Sequence, residues 1–170
     1  MKKGCCIKLN ICHSVYTERQ TKQNTNMTNT QTQTRTMCDL YKAVHSDMLD
    51  KLNDGTGMYN AASDLHHYLC NEDYFIIGTY AAKQFLGEHA YDVIGMVQEY
   101  ENDNFGECHT DLSNPENVVN MFRYIVGEQI LAESETLRDN WDNELEPETF
   151  SEICDEIGCI NINKVYYSNN

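Results

Sequence analysis

The side chains best suited to chemistry are eight cysteines and six histidines in a chain of 170 residues. The cysteines and four of the histidines fall into groups: Cys5, Cys6, Cys12 and His13; Cys38; His66, His67 and Cys70; Cys108 and His109; Cys154 and Cys159. A structural zinc site needs thiolates or imidazoles two to four residues apart, twice over, so that four ligands close a tetrahedron. Cys154 and Cys159 stand at the loose limit of that spacing, and no second pair follows. His67 and Cys70, three apart on a helix, would face the same way and offer half a site. These four are the metal candidates, and no cofactor is expected, because a free cysteine usually behaves as a small buried hydrophobe.

Cys108-His109-Thr110-Asp111 contains the three residue types of a nucleophilic triad. Triads are spatial arrangements, however, and adjacent residues rarely build one. The sequence lacks G-x-S-x-G, H-E-x-x-H, G-x-G-x-x-G and the phosphate-binding P-loop. Calcium loops fail too. A frame starting at Glu101 puts Gly106 in the sixth position, but Phe105 and Leu112 then stand where oxygen donors are needed. A frame starting at Asp50 suits Gly55 and fails at Leu52 and Ala61. The expectation is a protein that is not an enzyme.

Charge is more informative. The net charge of −15 conceals a division. Residues 1–37 carry six Lys/Arg and one acid, whereas residues 38–163 carry 26 acids and five Lys/Arg. The field of so acidic a body repels nucleic acid and anionic membranes and attracts basic surfaces. Direct nucleic-acid or membrane binding by the body is therefore not expected. The acids of interest are Glu99, Glu101 and Asp103, then Glu133, Glu135, Asp139, Asp142, Glu144, Glu146, Glu148, Glu152, Asp155 and Glu156. Duplex DNA presents a charge about every 1.7 Å along its axis, and a helix rises about 1.5 Å per residue. Carboxylates two to four residues apart on neighbouring helices approach that density, so the acidic stretch has the spacing of a DNA mimic. Trp141 within it suits an interface anchor or the cover of a helix junction.

The elements that must carry these residues read as helices. Residues 1–37 are a basic leader, and 17–36 hold one apolar residue, too few to offset ordering entropy, so disorder is expected there. Met27 and Met37 could serve as alternative starts. Residues 38–170 form the acidic domain. Helices are expected over 38–53 and 60–70, over 79–86 with Thr79 as cap, and over 91–100, fraying through 101–104. The most apolar one starts at Pro115, capped by Asn114 or Ser113, and runs to Leu131. Gly127 inside it marks a close crossing or a hinge. A last helix opens at Glu146-Pro147-Glu148 with Phe150, Ile153 and Ile157 inward and stops at Gly158. The run 74–77 is a strand or connector, and 160–167 alternates like an edge strand. The fold expected is mostly α: five or six helices with at most two short strands. No apolar run approaches the roughly 18 residues that span a bilayer. Gly4-Cys5-Cys6-Ile7-Lys8 is no signal-peptide core, so reduced thiols and a cytoplasmic location are expected.

Phe75-Ile76-Ile77-Gly78-Thr79-Tyr80, Glu99-Tyr100-Glu101, Asn104-Phe105-Gly106-Glu107, Thr110-Asp111-Leu112, Pro115-Glu116 and Tyr124-Ile125-Val126-Gly127-Glu128 resemble segments of small acidic proteins of tailed bacteriophages. The resemblance spans residues 60–133 and implies no activity. In size, helicity and charge the chain is also similar to phage antirestriction proteins that mimic DNA, without sharing a diagnostic motif. That likeness implies an inhibitor binding a basic, DNA-handling partner in the host cytoplasm. The alternatives are an accessory phage domain whose charge only keeps it in solution, and a Cys/His metal protein or enzyme.

Overall fold

The computed structural model describes residues 35–55, 59–70 and 77–168. The leader through residue 34, with Cys5, Cys6, Cys12 and His13, lies outside them, as does most of the 74–77 run. The compact unit begins at Arg35, three residues before the expected boundary. The reason is local. Thr36 caps helix α1 (Met37–Asp54): its Oγ1 accepts from the Asp39 amide at 3.2 Å, and Asp39 accepts in return from the Thr36 amide at 2.8 Å. This reciprocal box satisfies two otherwise orphaned donors. Leu40, Tyr41, Val44, Met48 and Leu52 then bury one face of α1.

The chain continues through α2 (Ala62–Cys70), α3 (Thr79–Leu86), a 3-10 turn (Gly87–His89), α4 (Ala90–Phe105), α5 (Pro115–Ala132), α6 (Glu135–Asp139), α7 (Pro147–Cys159) and α8 (Ile162–Ser168). The domain is mostly α, and no strand occurs among the described residues; the nearest feature is an isolated bridge between Ala61 and Glu144. α5 is the hub. Pro115 stands in its first turn, and Asn114 accepts from the Glu116 amide at 3.0 Å. The helix packs against α1, α2, α3, α4, α6 and α8. Val118, Val119, Phe122, Ile125, Val126, Ile130 and Leu131 are buried along it. Each such apolar side chain contributes about 1.5–3 kcal/mol, which is why the helix richest in them organises the others. Tyr41 meets Phe122 edge-on at 5.6 Å. α7 lies outside this ring, against α1 and α6.

Several local expectations change. α4 does not fray at 101–104 but runs to Phe105, because buried Glu101 anchors its last turn and Gly106, in the left-handed region at φ 83°, ends it. Gly78 rather than Thr79 is the N-cap of α3, and the Thr79 hydroxyl donates to Glu116 instead. Gly158 lies inside α7, which continues to Cys159, and Phe150 is only half-buried. The expected tail strand is helix α8. Ile162 and Val165, three apart, are both buried, and Asn161 starts the turn by accepting from the Asn163 amide at 3.1 Å. The short α6 was not foreseen; its own apolar content is one buried residue, Leu137.

Candidate acidic interface

The acidic stretch is built on two anchors. Ser134, fully buried, caps α6 by accepting from the Leu137 amide at 3.0 Å and donates its hydroxyl to Glu156 on α7. Glu156 also receives the Thr136 amide at 3.2 Å and the Thr136 hydroxyl. Partial burial alone would raise the Glu156 carboxyl. The donors from Ser134 and Thr136 outweigh it and hold the group below the usual glutamate range. The loop from 140 to 146 is pinned to the start of α2: Ser63 donates its amide to the Trp141 carbonyl at 3.1 Å, and Leu145 donates to the Asn60 carbonyl at 3.2 Å.

On this support Glu133, Glu135, Asp139, Asp142, Glu144, Glu146, Glu148, Glu152 and Asp155 are all exposed, and Glu156 is half-buried. Few cations answer them. Arg138 donates to the Ala132 carbonyl at 2.9 Å, and Lys164 stands 3.7 Å from Glu133. Trp141 is 41% exposed, with its ring against His66 at 5.0 Å between centroids. It thus covers α2 on one side and meets solvent on the other. Burial holds the His66 imidazole below its usual value.

The other three acids do not join this surface. Glu99 and Asp103 are exposed on α4, whose main partner is α5. Glu101 is 2% exposed and belongs to the interior. It accepts from Cys108 Sγ at 3.0 Å, from the amides of His109 at 3.0 Å and Thr110 at 2.9 Å, and from the Thr110 hydroxyl at 2.9 Å. Burial would raise its carboxyl, but these four donors more than compensate and lower it. Cys108-His109-Thr110-Asp111 is therefore a loop folded over a carboxylate. The hydrogen bond to Glu101, with its charge and some burial, raises the Cys108 thiol, the opposite of what a nucleophile requires.

The metal candidates are not brought together. His67 is exposed while Cys70 is buried, so the pair does not aim at one point. Cys154 is half-buried and Cys159 exposed on α7. Among the described residues no three His, Cys, Asp or Glu side chains converge on a metal position.

What the sequence reading missed is a polar seam through the helical core. Arg123 of α5, 2% exposed, donates through Nε to Asp47 of α1 at 2.9 Å and through Nη2 to the same oxygen. Lys51 lies 3.6 Å from Asp47. One turn beyond, Tyr124 donates to Glu128 at 2.7 Å and Tyr100 of α4 donates to its other oxygen. Burial raises both phenols, and Glu128 raises them further. Burial also pushes the Cys70 thiol up to about 12. A cavity of about 40 Å³ adjoins Arg123, lined by Ala43, Val44, Asp47, Phe85 and Val119. That is room for water and far short of a drug-sized ligand pocket. The available signal was Arg123 inside the most apolar helix: a charge on a buried face demands a partner.

No helix among the described residues is long and apolar enough to cross a membrane. Compared with protein-family models, curated proteins and solved structures, the chain finds a match in none of the three.

Proposed function

We propose that this is a non-enzymatic protein whose surface from Glu133 to Asp155 binds a basic partner, in its sharpest form as a nucleic-acid mimic occupying a DNA-binding cleft. The carrying observation is the contrast between acids used inside and acids left outside. Glu101 and Glu156 are consumed as hydrogen-bond anchors, while the nine carboxylates from Glu133 to Asp155 stay exposed on a surface held by Glu156 and by the Ser63–Trp141 and Leu145–Asn60 backbone bonds. Two of the unit's cations, Lys51 and Arg123, serve Asp47 in the interior. Within residues 133–155 the nine acids are answered in sequence by Arg138 alone. Fixed carboxylates on a rigid support lose less entropy on binding than flexible ones. Acting on a host DNA-handling protein accords with the phage resemblance.

The test is competition. The full chain is titrated into complexes of purified DNA-binding proteins with a short duplex, at rising ionic strength. The chain should displace the duplex at low salt and fail as screening shortens the field to about 10 Å at 0.1 M. Glu144→Gln, Glu146→Gln, Glu148→Gln and Glu152→Gln together should abolish displacement, while Glu99→Gln with Asp103→Asn should not. Equal loss from both sets would mean that net charge alone acts. No displacement at any salt would leave acidity as a device for solubility.

A further inference from the structure

His89 lies in the 3-10 turn between α3 and α4, and both of its ring nitrogens face acceptors. Nδ1 is 3.0 Å from the Asp92 carboxylate, and Nε2 is 2.6 Å from the backbone carbonyl of Arg35. Neither acceptor can donate. A neutral imidazole carries one N–H and the imidazolium two, so only the protonated ring satisfies both contacts. We infer that His89 is a pH-operated latch that, as the imidazolium, holds the Arg35 carbonyl at the entry to α1.

The surroundings favour the charged form. Asp92 faces the ring from α4, and Glu88 of the same turn is 3.7 Å from Nε2. The segment before α1 brings the Arg35 carbonyl. The charged residue of α3, Lys83, is exposed. The Asp92 hydrogen bond raises the His89 pKa; slight burial opposes it, and the Arg35 carbonyl and Glu88 add to it. A raised histidine contributes its stabilisation below the ordinary value of 6.5 and loses it as pH rises through the raised one. When the proton leaves, Asp92 retains Nδ1–H, and a lone pair on Nε2 then meets the lone pairs of the Arg35 oxygen. The contact turns repulsive. Arg35 is released next to Thr36, the residue that caps α1, so the first turn of the domain loosens. This device is independent of the acidic interface.

Trypsin cuts the Arg35–Thr36 bond, whose carbonyl is the one held, so cleavage there reads the latch. The full chain is digested from about pH 5.5 to about pH 8.5, across the range where histidine titrates, and each rate is divided by that of a free peptide of the same local sequence. The normalised rate should rise several-fold across the range. It should be high and flat in His89→Gln. In Asp92→Asn the rise should move to lower pH. Ring nitrogen shifts from NMR should show both His89 nitrogens protonated at the acid end. The inference is overturned if His89 titrates at or below the ordinary histidine value, or if normalised cleavage has the same pH profile in His89→Gln as in the parent chain.

Discussion

The sulfur of Cys70 occupies the space that a side chain on Gly127 would need: a Cβ built on Gly127 comes within 2.8 Å of it. α2 crosses α5 there with no allowance for a methyl group, so Gly127 marks a close crossing. Gly127→Ala gains about 1 kcal/mol of helix propensity and loses about 1–3 kcal/mol to overpacking. We expect net destabilisation of about 1 kcal/mol in urea unfolding, because Cys70 is buried and its sulfur has little freedom to retreat. Cys70→Ala combined with Gly127→Ala should recover most of that loss, read as coupling in a double-mutant cycle.

Removing Asp47 should cost more than removing any exposed acid. Asp47→Ala leaves Arg123 charged and buried without its carboxylate. Breaking a buried pair costs about 3–5 kcal/mol; the Asp47 side chain is one-third exposed, so about 2–3 kcal/mol is expected. Asp47→Ala with Arg123→Met should be closer to the parent than Asp47→Ala alone. Chemical denaturation of the three variants checks the order.

Acid should weaken the domain through two particular carboxyls. Glu101 and Glu156 are held below the ordinary value of 4.5 in the folded state. Such groups contribute stability above that value, and the contribution is lost as pH falls through the folded value. Stability should therefore fall below about pH 4.5. Glu101→Gln should be less stable at neutral pH by about 2–3 kcal/mol, since hydrogen bonds to a charged acceptor are worth about 1.5–3 kcal/mol each and one amide oxygen retains part of them. Its acid limb should be flatter. Thermal melts from neutral to acid pH, with and without the substitution, give both numbers.

Thiol labelling should sort the described cysteines by position. Cys159 is exposed and Cys70 is buried with its thiol raised to about 12. Reactivity follows the thiolate and its access. Iodoacetamide should modify Cys159 first, Cys108 slowly because Glu101 keeps its thiol protonated, and Cys70 only on unfolding. Peptide mass spectrometry over time distinguishes them.

Long helices were legible in the sequence because their signals are local. Asn114-Pro115-Glu116 start α5, and the periodic run from Tyr91 marks α4, although that helix reached farther, to the Gly106 stop, than its polar last turn suggested. The two shortest helices were not. α6 depends on Ser134 and Glu156, 22 residues apart, and α8 on packing against α1. The exposed acids from 133 to 155 could be read directly as a surface, since carboxylates rarely lie buried. Glu101 could not be separated from its neighbours Glu99 and Asp103 by type or spacing. Its burial is decided by donors in the loop that folds back over it, and the Asp47–Arg123 pair joins residues 76 positions apart.

α8 runs beside α1, with the Cys38 thiol donating to Asn163 Oδ1 at 3.1 Å and Tyr41 edge-on to Tyr166 at 5.3 Å. The last helix therefore lies parallel to the first, with its opening turn against the opening turn of α1. Joining residue 168 to residue 35 through a linker that runs back along about two turns of α1, and reopening the chain in an exposed turn, would give a circular permutant that keeps every helix, with new ends placed away from the original junction.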